Sequence, residues 1–117
     1  MAKDSEMPRF ARLSQSHCAP CDRGAEPLKG QALQELYRDL DHDWQLVDGT
    51  RLEKEFSFRD FRQALAFVNR VGELAEAEGH HPDLGLSWGK VTVRLWTHKI
   101  GGLHENDFIL AARIDQL

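Results

Sequence analysis

From Phe58 to about Glu78 the apolar residues Phe61, Ala64, Leu65, Val68, Val71 and Ala75 recur at helical spacing, a period that a strand cannot gather onto one side. Ser57, with Asp60 three residues on, reads as the N-cap of this helix. The other end is equally constrained. Gly79 suits a C-terminal cap, and Pro82 forces His81 out of helical geometry. The helix must therefore stop at His80-His81-Pro82, and the rest of the chain has to be arranged around it.

Gln31 to Leu40 places Leu33, Leu36, Tyr37 and Leu40 at helical spacing, which predicts a shorter amphipathic helix. Trp44 to Val47, then Asp48-Gly49, then Thr50 to Ser57 reads as a hairpin, because Asp-Gly between β-prone segments signals a tight turn. Leu84 to Trp88 and Lys90 to His98 read as a second hairpin around Gly89. Gly101-Gly102 punctuates, and Glu105 to Ile114 reads as a last amphipathic helix. The predicted order is α-β-β-α-β-β-α. This is an α+β fold, a four-stranded antiparallel sheet with helices packed on one face. Strand parity places Val91, Val93, Leu95 and Thr97 on one face and Thr92, Arg94, Trp96 and His98 on the other. The aliphatic row should pack on the helices, so His98 should point away from the core unless a bulge shifts the strand end.

Residues 1 to 28 lack apolar periodicity and carry Pro8, Pro20, Gly24 and Pro27. They are expected to be a partly ordered tail that contributes little core burial, dispensable for folding, ahead of a single domain over 29–117. A chain of 117 residues with 41% hydrophobic residues can bury one modest core. A net charge of −4 gives no electrostatic case for nucleic-acid binding. No apolar run approaches the roughly 18 residues that span a membrane, and Met1 to Glu6 show no hydrophobic targeting segment. The cytoplasm is the expected location.

The chemistry concentrates near the end of the long helix. His80, His81 and His98, three of six histidines, lie close in sequence to Glu76. Histidine has an unperturbed pKa near neutrality, so a cluster can hold acid and base forms together. Glu76 and His80 are four apart and share a helix face, where the carboxylate could hold one imidazole tautomer. Each residue also has a structural reading. His80 and His81 could be a polar pair favoured by a helix C-terminus, and Asp107 a first-turn carboxylate favoured by a helix N-terminus. Trp88 and Trp96 could flank a flat ligand or fill core and interface. Glu76, His80 and His98 also form a known type of metal-ligand set. His17, His42 and His104 read as solvated. Cys18-Ala-Pro-Cys21 admits a metal site, a redox pair or inert thiols. No second Cys-x-x-Cys completes a zinc site, and no βαβ pattern surrounds a redox pair.

The ordered set Glu76, His80-His81-Pro82, Trp88, His98 and Asp107, flanked by Phe61 to Asn69 and by Gly101 to Ala112, resembles the pterin-4a-carbinolamine dehydratases. The resemblance covers about residues 28 to 117. It implies the same α+β fold and elimination of water from a 4a-hydroxytetrahydropterin to give the quinonoid dihydropterin. It implies His80, His81 and His98 as catalytic residues, and Glu76, Pro82, Trp96, Thr97 and Asp107 at the substrate. A proton donor would assist the leaving hydroxyl and an acceptor would take the N5 proton. The resemblance implies no redox cofactor, because the oxidation belongs to an earlier enzyme. It implies no metal, because a tertiary hydroxyl beside ring nitrogens leaves readily once protonated. The implied partners are the pterin substrate and further copies of the chain, as a homodimer or homotetramer. The implied setting is beside an aromatic amino-acid hydroxylase such as phenylalanine hydroxylase. Some relatives instead serve as dimerisation cofactors of transcription factors. Bacterial members often carry a cysteine pair like Cys18/Cys21. Some members have an acidic residue just before the histidine pair, where this chain has Gly79.

Overall fold

A computed structural model describes residues 9–20, 24–40 and 43–117, with side chains in the first segment from residue 12 onward. Cys21, His42 and the side chain of Phe10 lie outside the described residues. The described chain forms four α-helices: α1 (Arg9–Gln15), α2 (Gly30–Arg38), α3 (Phe61–Glu78) and α4 (Glu105–Ile114). Its strands are β1 (Gln45–Val47), β2 (Arg51–Ser57), β3 (Asp83–Ser87) and β4 (Lys90–Leu95), with a short 3₁₀ turn at His98–Ile100. The strands make one antiparallel sheet in the order β1-β2-β4-β3.

The architecture is the α+β arrangement expected, with one helix more. Leu52 and Phe56 of β2 stand beside Leu95 and Val91 of β4 and meet Phe67 and Val71 of α3 and Phe108 of α4 in one core. Glu53, Glu55, Thr92 and Arg94 alternate with them on the uncovered face, where Arg94 donates to Glu53 at 2.6 Å. Lys54 falls on the core face by parity. Its ammonium is satisfied there by Asp115 at 2.8 Å, whose other oxygen accepts from the indole N–H of buried Trp44.

Asp48 and Gly49 both have positive φ, 54° and 68°, the sign pattern that a type I′ hairpin turn requires. In the second hairpin Gly89 is needed for a close approach: a Cβ there would lie 2.9 Å from the Phe58 carbonyl.

Three details correct the sequence reading. The N-cap of α3 is Asp60, which accepts from the Gln63 amide at 2.9 Å, not Ser57. Ser57 is instead the last residue of β2, paired with Lys90. The buried stripe of α3 is Ala64, Phe67, Val71 and Ala75, whereas Phe61 and Leu65 are exposed. The stripe is rotated because α3 lies between sheet and solvent, and apolar spacing alone does not say which edge of the stripe is covered. Finally, the N-terminal stretch does contribute to the core. Leu13 of α1 is 6% exposed and packs in the main cluster, and α1 lies on α4. One buried leucine in a seven-residue helix leaves no periodic signal.

Candidate active site

The end of α3 sets the geometry. Gly79 adopts φ 67°, a left-handed cap that turns the chain off the helix axis. His80 is therefore not a continuation of the helix face carrying Glu76. Its ring reaches instead to the first turn of α4, where Nε2 lies 2.6 Å from Asp107 Oδ1. Glu76 pairs with the next residue, His81, through Oε2 and Nε2. The expected Glu76–His80 relation is thus replaced by two separate couples, because the i,i+4 rule needs a helix that continues.

The couples differ in environment. Asp107 is fully buried and the His80 side chain is 13% exposed, whereas His81 and Glu76 are 60% and 79% exposed. Asp107 accepts from three donors: His80, the Thr97 hydroxyl at 2.8 Å and the His104 amide at 3.0 Å. The last bond is half of a capping box, since the His104 ring accepts from the Asn106 amide at 3.0 Å. Asp107 is therefore both the first-turn carboxylate and the partner of His80. A carboxylate only accepts, so the His80 Nε2 carries the proton of their bond, leaving Nδ1 as the atom that can exchange protons.

His80, His81, Pro82, Trp96, Thr97 and His98 line one open cavity of about 380 Å³. His98 is exposed at the start of the 3₁₀ turn, its ring tilted at 42° against Trp96 with centroids 4.3 Å apart. Thr97 is buried on the core side, as parity requires, and its hydroxyl is engaged by Asp107. Asp107 stands behind His80, and Glu76 lines a separate groove with Val68, Gly72 and Leu84. Trp88 is 69% exposed at the tip of the β3–β4 hairpin and takes no part in the cavity lining. Among the described residues no three His, Cys, Asp or Glu side chains are grouped to hold a metal ion, so Glu76, His80 and His98 do not assemble as a ligand set.

Sequence reasoning missed the N-terminal contribution. Ala19, Pro20 and Asn106 also line the cavity. The Asn106 amide holds Ala19 through both backbone groups, accepting from its N–H at 2.9 Å and donating to its carbonyl at 2.6 Å. Glu78, 7% exposed at the side chain, accepts from the Cys18 amide at 2.8 Å and lies 2.9 Å from His17 Nδ1 and 3.2 Å from Arg113. Burial pulls the Glu78 carboxyl upward, but the bonds from His17 and Cys18 and the Arg113 guanidinium outweigh it and leave its pKa below the usual value. The Cys18 thiol is pushed up to about 12, first by burial and then by Glu78 and Asp107, and its sulfur lies 3.6 Å from the Asn106 carbonyl. A thiol held protonated is a poor nucleophile and a poor metal ligand. His17 and His104, read as solvated, are respectively a partner of Glu78 and the cap of α4.

Comparison with known proteins matches residues 26–117 to the family model described as pterin 4 alpha carbinolamine dehydratase. A Rubrobacter xylanophilus protein, provisionally named a pterin-4-alpha-carbinolamine dehydratase, is 50% identical over 92% of this chain and 100% of its own length. A solved structure described as a transcriptional coactivator/pterin dehydratase from Brucella melitensis superposes with TM-score 0.71 at 33% identity, covering 78% of this chain and 97% of that one. A second, described as a pterin dehydratase-like protein that is a RuBisCO assembly factor in the alpha-carboxysome, gives TM-score 0.55 at 27% identity over 64% of this chain and 88% of that one.

Proposed function

The chain belongs to the pterin 4 alpha carbinolamine dehydratase family, and from that premise we propose that it eliminates water from a 4a-hydroxytetrahydropterin to give the quinonoid dihydropterin. The observation that carries this reading is the His80–Asp107 couple at a cavity shared with His81 and His98. A buried carboxylate that fixes the His80 tautomer and faces the imidazolium as it forms favours His80 as the base. In this reading His80 accepts the N5 proton. His98, exposed and in exchange with solvent, gives a proton to the C4a hydroxyl, which leaves as water. The electron pair of the N5–H bond becomes the new N5–C4a π bond, so no electrons are exchanged with a cofactor. His81, steadied by Glu76, and the Trp96 plane hold the pterin, with Pro82 and the Thr97 backbone forming the adjoining wall.

The direct test follows a synthetic 4a-hydroxytetrahydropterin spectroscopically with and without the protein. Acceleration lost in His80→Ala and His98→Ala supports the reading. No acceleration by the intact protein refutes it. The physiological setting we propose is cytoplasmic recycling of the pterin of an aromatic amino-acid hydroxylase, phenylalanine hydroxylase being the expected one.

We further propose a homodimer or homotetramer. Phe61 and Leu65 on α3, and Leu86 and Trp88 on the neighbouring β3–β4 hairpin, are exposed large apolar residues. β3 is also an edge of the sheet, and natural edges are covered or paired. Sedimentation of a 13.4 kDa monomer at micromolar concentration would contradict this. A second reading, a non-catalytic regulatory cofactor, draws on the coactivator and assembly-factor descriptions of the two solved relatives. The dehydratase assay separates the two readings.

A further inference from the structure

The His17–Pro20 segment is held by a lattice of bonds that looks excessive for a tail. Glu78 is the last residue of α3, and Asn106 lies in the first turn of α4. These are the two helix ends that carry His80 and Asp107. The segment bridges them: His17 and Cys18 bond Glu78, Ala19 bonds Asn106 twice, and the Ser16 carbonyl accepts from Arg113 at 3.2 Å. The Asn106 side chain belongs to a residue 3% exposed. Its amide reproduces, with a single side chain, the two-bond exchange of an antiparallel strand pair. So fixed, Ala19 and Pro20 present small, rigid surface to the same cavity as His80 and His98.

We propose that Ala19 and Pro20 form the specificity-determining wall for the substituent at pterin C6, with Asn106 as the residue that positions this wall. The inference rests on the dehydratase reading. In that reaction the proton leaves N5, and C6 is bonded directly to N5. Any group on C6 therefore stands one bond from the reacting nitrogen and must share the histidine cavity. The catalytic histidines and Trp96 can account for the ring and the reacting edge. The rest of the lining is Gly79, the charged Asp83 and Lys99, and the N-terminal segment with Asn106. Of these, Ala19 and Pro20 offer the uncharged, rigid wall against which an uncharged C6 substituent can pack. A methyl side chain at residue 19 and a proline at residue 20 set how much room remains. A backbone pinned at both its N–H and its carbonyl cannot yield to a larger group.

The test uses the full chain and two synthetic 4a-hydroxytetrahydropterins, one bearing a methyl at C6 and one a dihydroxypropyl group. kcat and KM are measured for the intact protein, Ala19→Leu and Asn106→Ala, with thermal unfolding followed in parallel. Ala19→Leu adds bulk to an exposed position and should lower kcat/KM for the larger substrate roughly tenfold relative to the methyl one, the scale of pocket discrimination by small alkyl changes. Asn106→Ala frees Ala19, and should raise KM more than it lowers kcat while reducing the preference between the two substrates. If Asn106→Ala fails to fold, Ala19→Leu decides alone. An active protein whose substrate preference is the same in wild type and Ala19→Leu overturns the inference and leaves the dehydratase reading intact. An intact protein that dehydrates neither substrate overturns both.

Discussion

Replacing Asp107 by Asn tests the centre of the proposed mechanism with little change of shape. The Oδ2 position receives two donors, the Thr97 hydroxyl and the His104 amide, while Oδ1 receives one, His80 Nε2. An asparagine retains most bonds by placing its carbonyl at Oδ2 and its amino group at Oδ1. The amino group then donates to His80 Nε2, which must become an acceptor, and the ring proton moves to Nδ1. His80 is left in the wrong tautomer to accept a proton. The expected loss in kcat is roughly 10²–10⁴-fold, the range of general acid–base groups. Stability also falls, because bonds to a charge, worth about 1.5–3 kcal/mol each, become neutral ones of about 0.5–1.5 kcal/mol. The three share one acceptor and do not add, and a neutral side chain costs less to bury, so the net loss is about 1–3 kcal/mol. With about 2.1 cal/mol/K of unfolding entropy per residue, 117 residues give about 4 °C per kcal/mol. Tm should therefore drop by about 4–12 °C. Asp107→Ala, which leaves three donors without an acceptor, should cost more, about 3–5 kcal/mol. Calorimetry and the pterin assay read both quantities. An Asn variant with wild-type turnover would refute the tautomer argument, and an unchanged Tm would refute the account of Asp107 as the common acceptor.

His80→Ala should remove the acidic limb of the pH dependence of kcat/KM and His98→Ala the basic limb, because base and acid act in opposite protonation states. The reverse pattern would exchange their roles. Glu76→Gln should shift Tm by less than about 2 °C, since exposed ion pairs contribute little, and should cost far less activity than His80→Ala. A comparable loss would make Glu76 part of the reacting site. In a Cys21→Ser background, Cys18 should resist iodoacetamide at pH 8, because a pKa of about 12 in place of 9.0 cuts the thiolate fraction roughly a thousandfold. The sign of the linkage is that of a raised acid: stability is full below pH 9 and falls as pH rises from about 9 towards 12, where the unfolded thiol ionises before the folded one. Alkylation at the rate of a free thiol would show that the N-terminal segment is not docked.

The long helix, both hairpins and the last helix were legible because each has a local cause: the period of the α3 stripe, Asp48-Gly49, Gly89, and the turn residues Gly101 and Gly102. Gly79 and Pro82 even located the break at which the histidines project. Pairing was not legible to the same degree. Glu76 and His80 are four apart, and the helical rule joins them. Gly79 breaks the rule at the one point where it mattered, and the actual partner of His80 lies 27 residues away in sequence. The N-terminal segment was misjudged for a related reason. Its order comes from Glu78, Asn106 and Arg113, all distant in sequence, and polar clamps of that kind leave no hydrophobic period to read. Trp88 and Trp96 looked alike as aromatic planes, yet only the position of the β3–β4 turn decides that one is at the tip and the other beside His98.

The site is built where two helix ends meet, and this couples its chemistry to the fold. The C-terminus of α3 delivers His80 through a left-handed glycine, and the N-terminus of α4 supplies Asp107 as part of its own cap. A carboxylate at a helix N-terminus is stabilised by the exposed amides and the macrodipole, so the negative charge that His80 requires is held by the backbone that Asp107 in turn caps. Thr97, from the strand end that also delivers His98, completes the acceptor's shell. Three elements bearing candidate groups thus converge on one buried oxygen pair. The arrangement explains how an open cavity can keep His80 oriented: its Nε2 is fixed from behind by the buried Asp107, while the rest of the ring stays at the cavity.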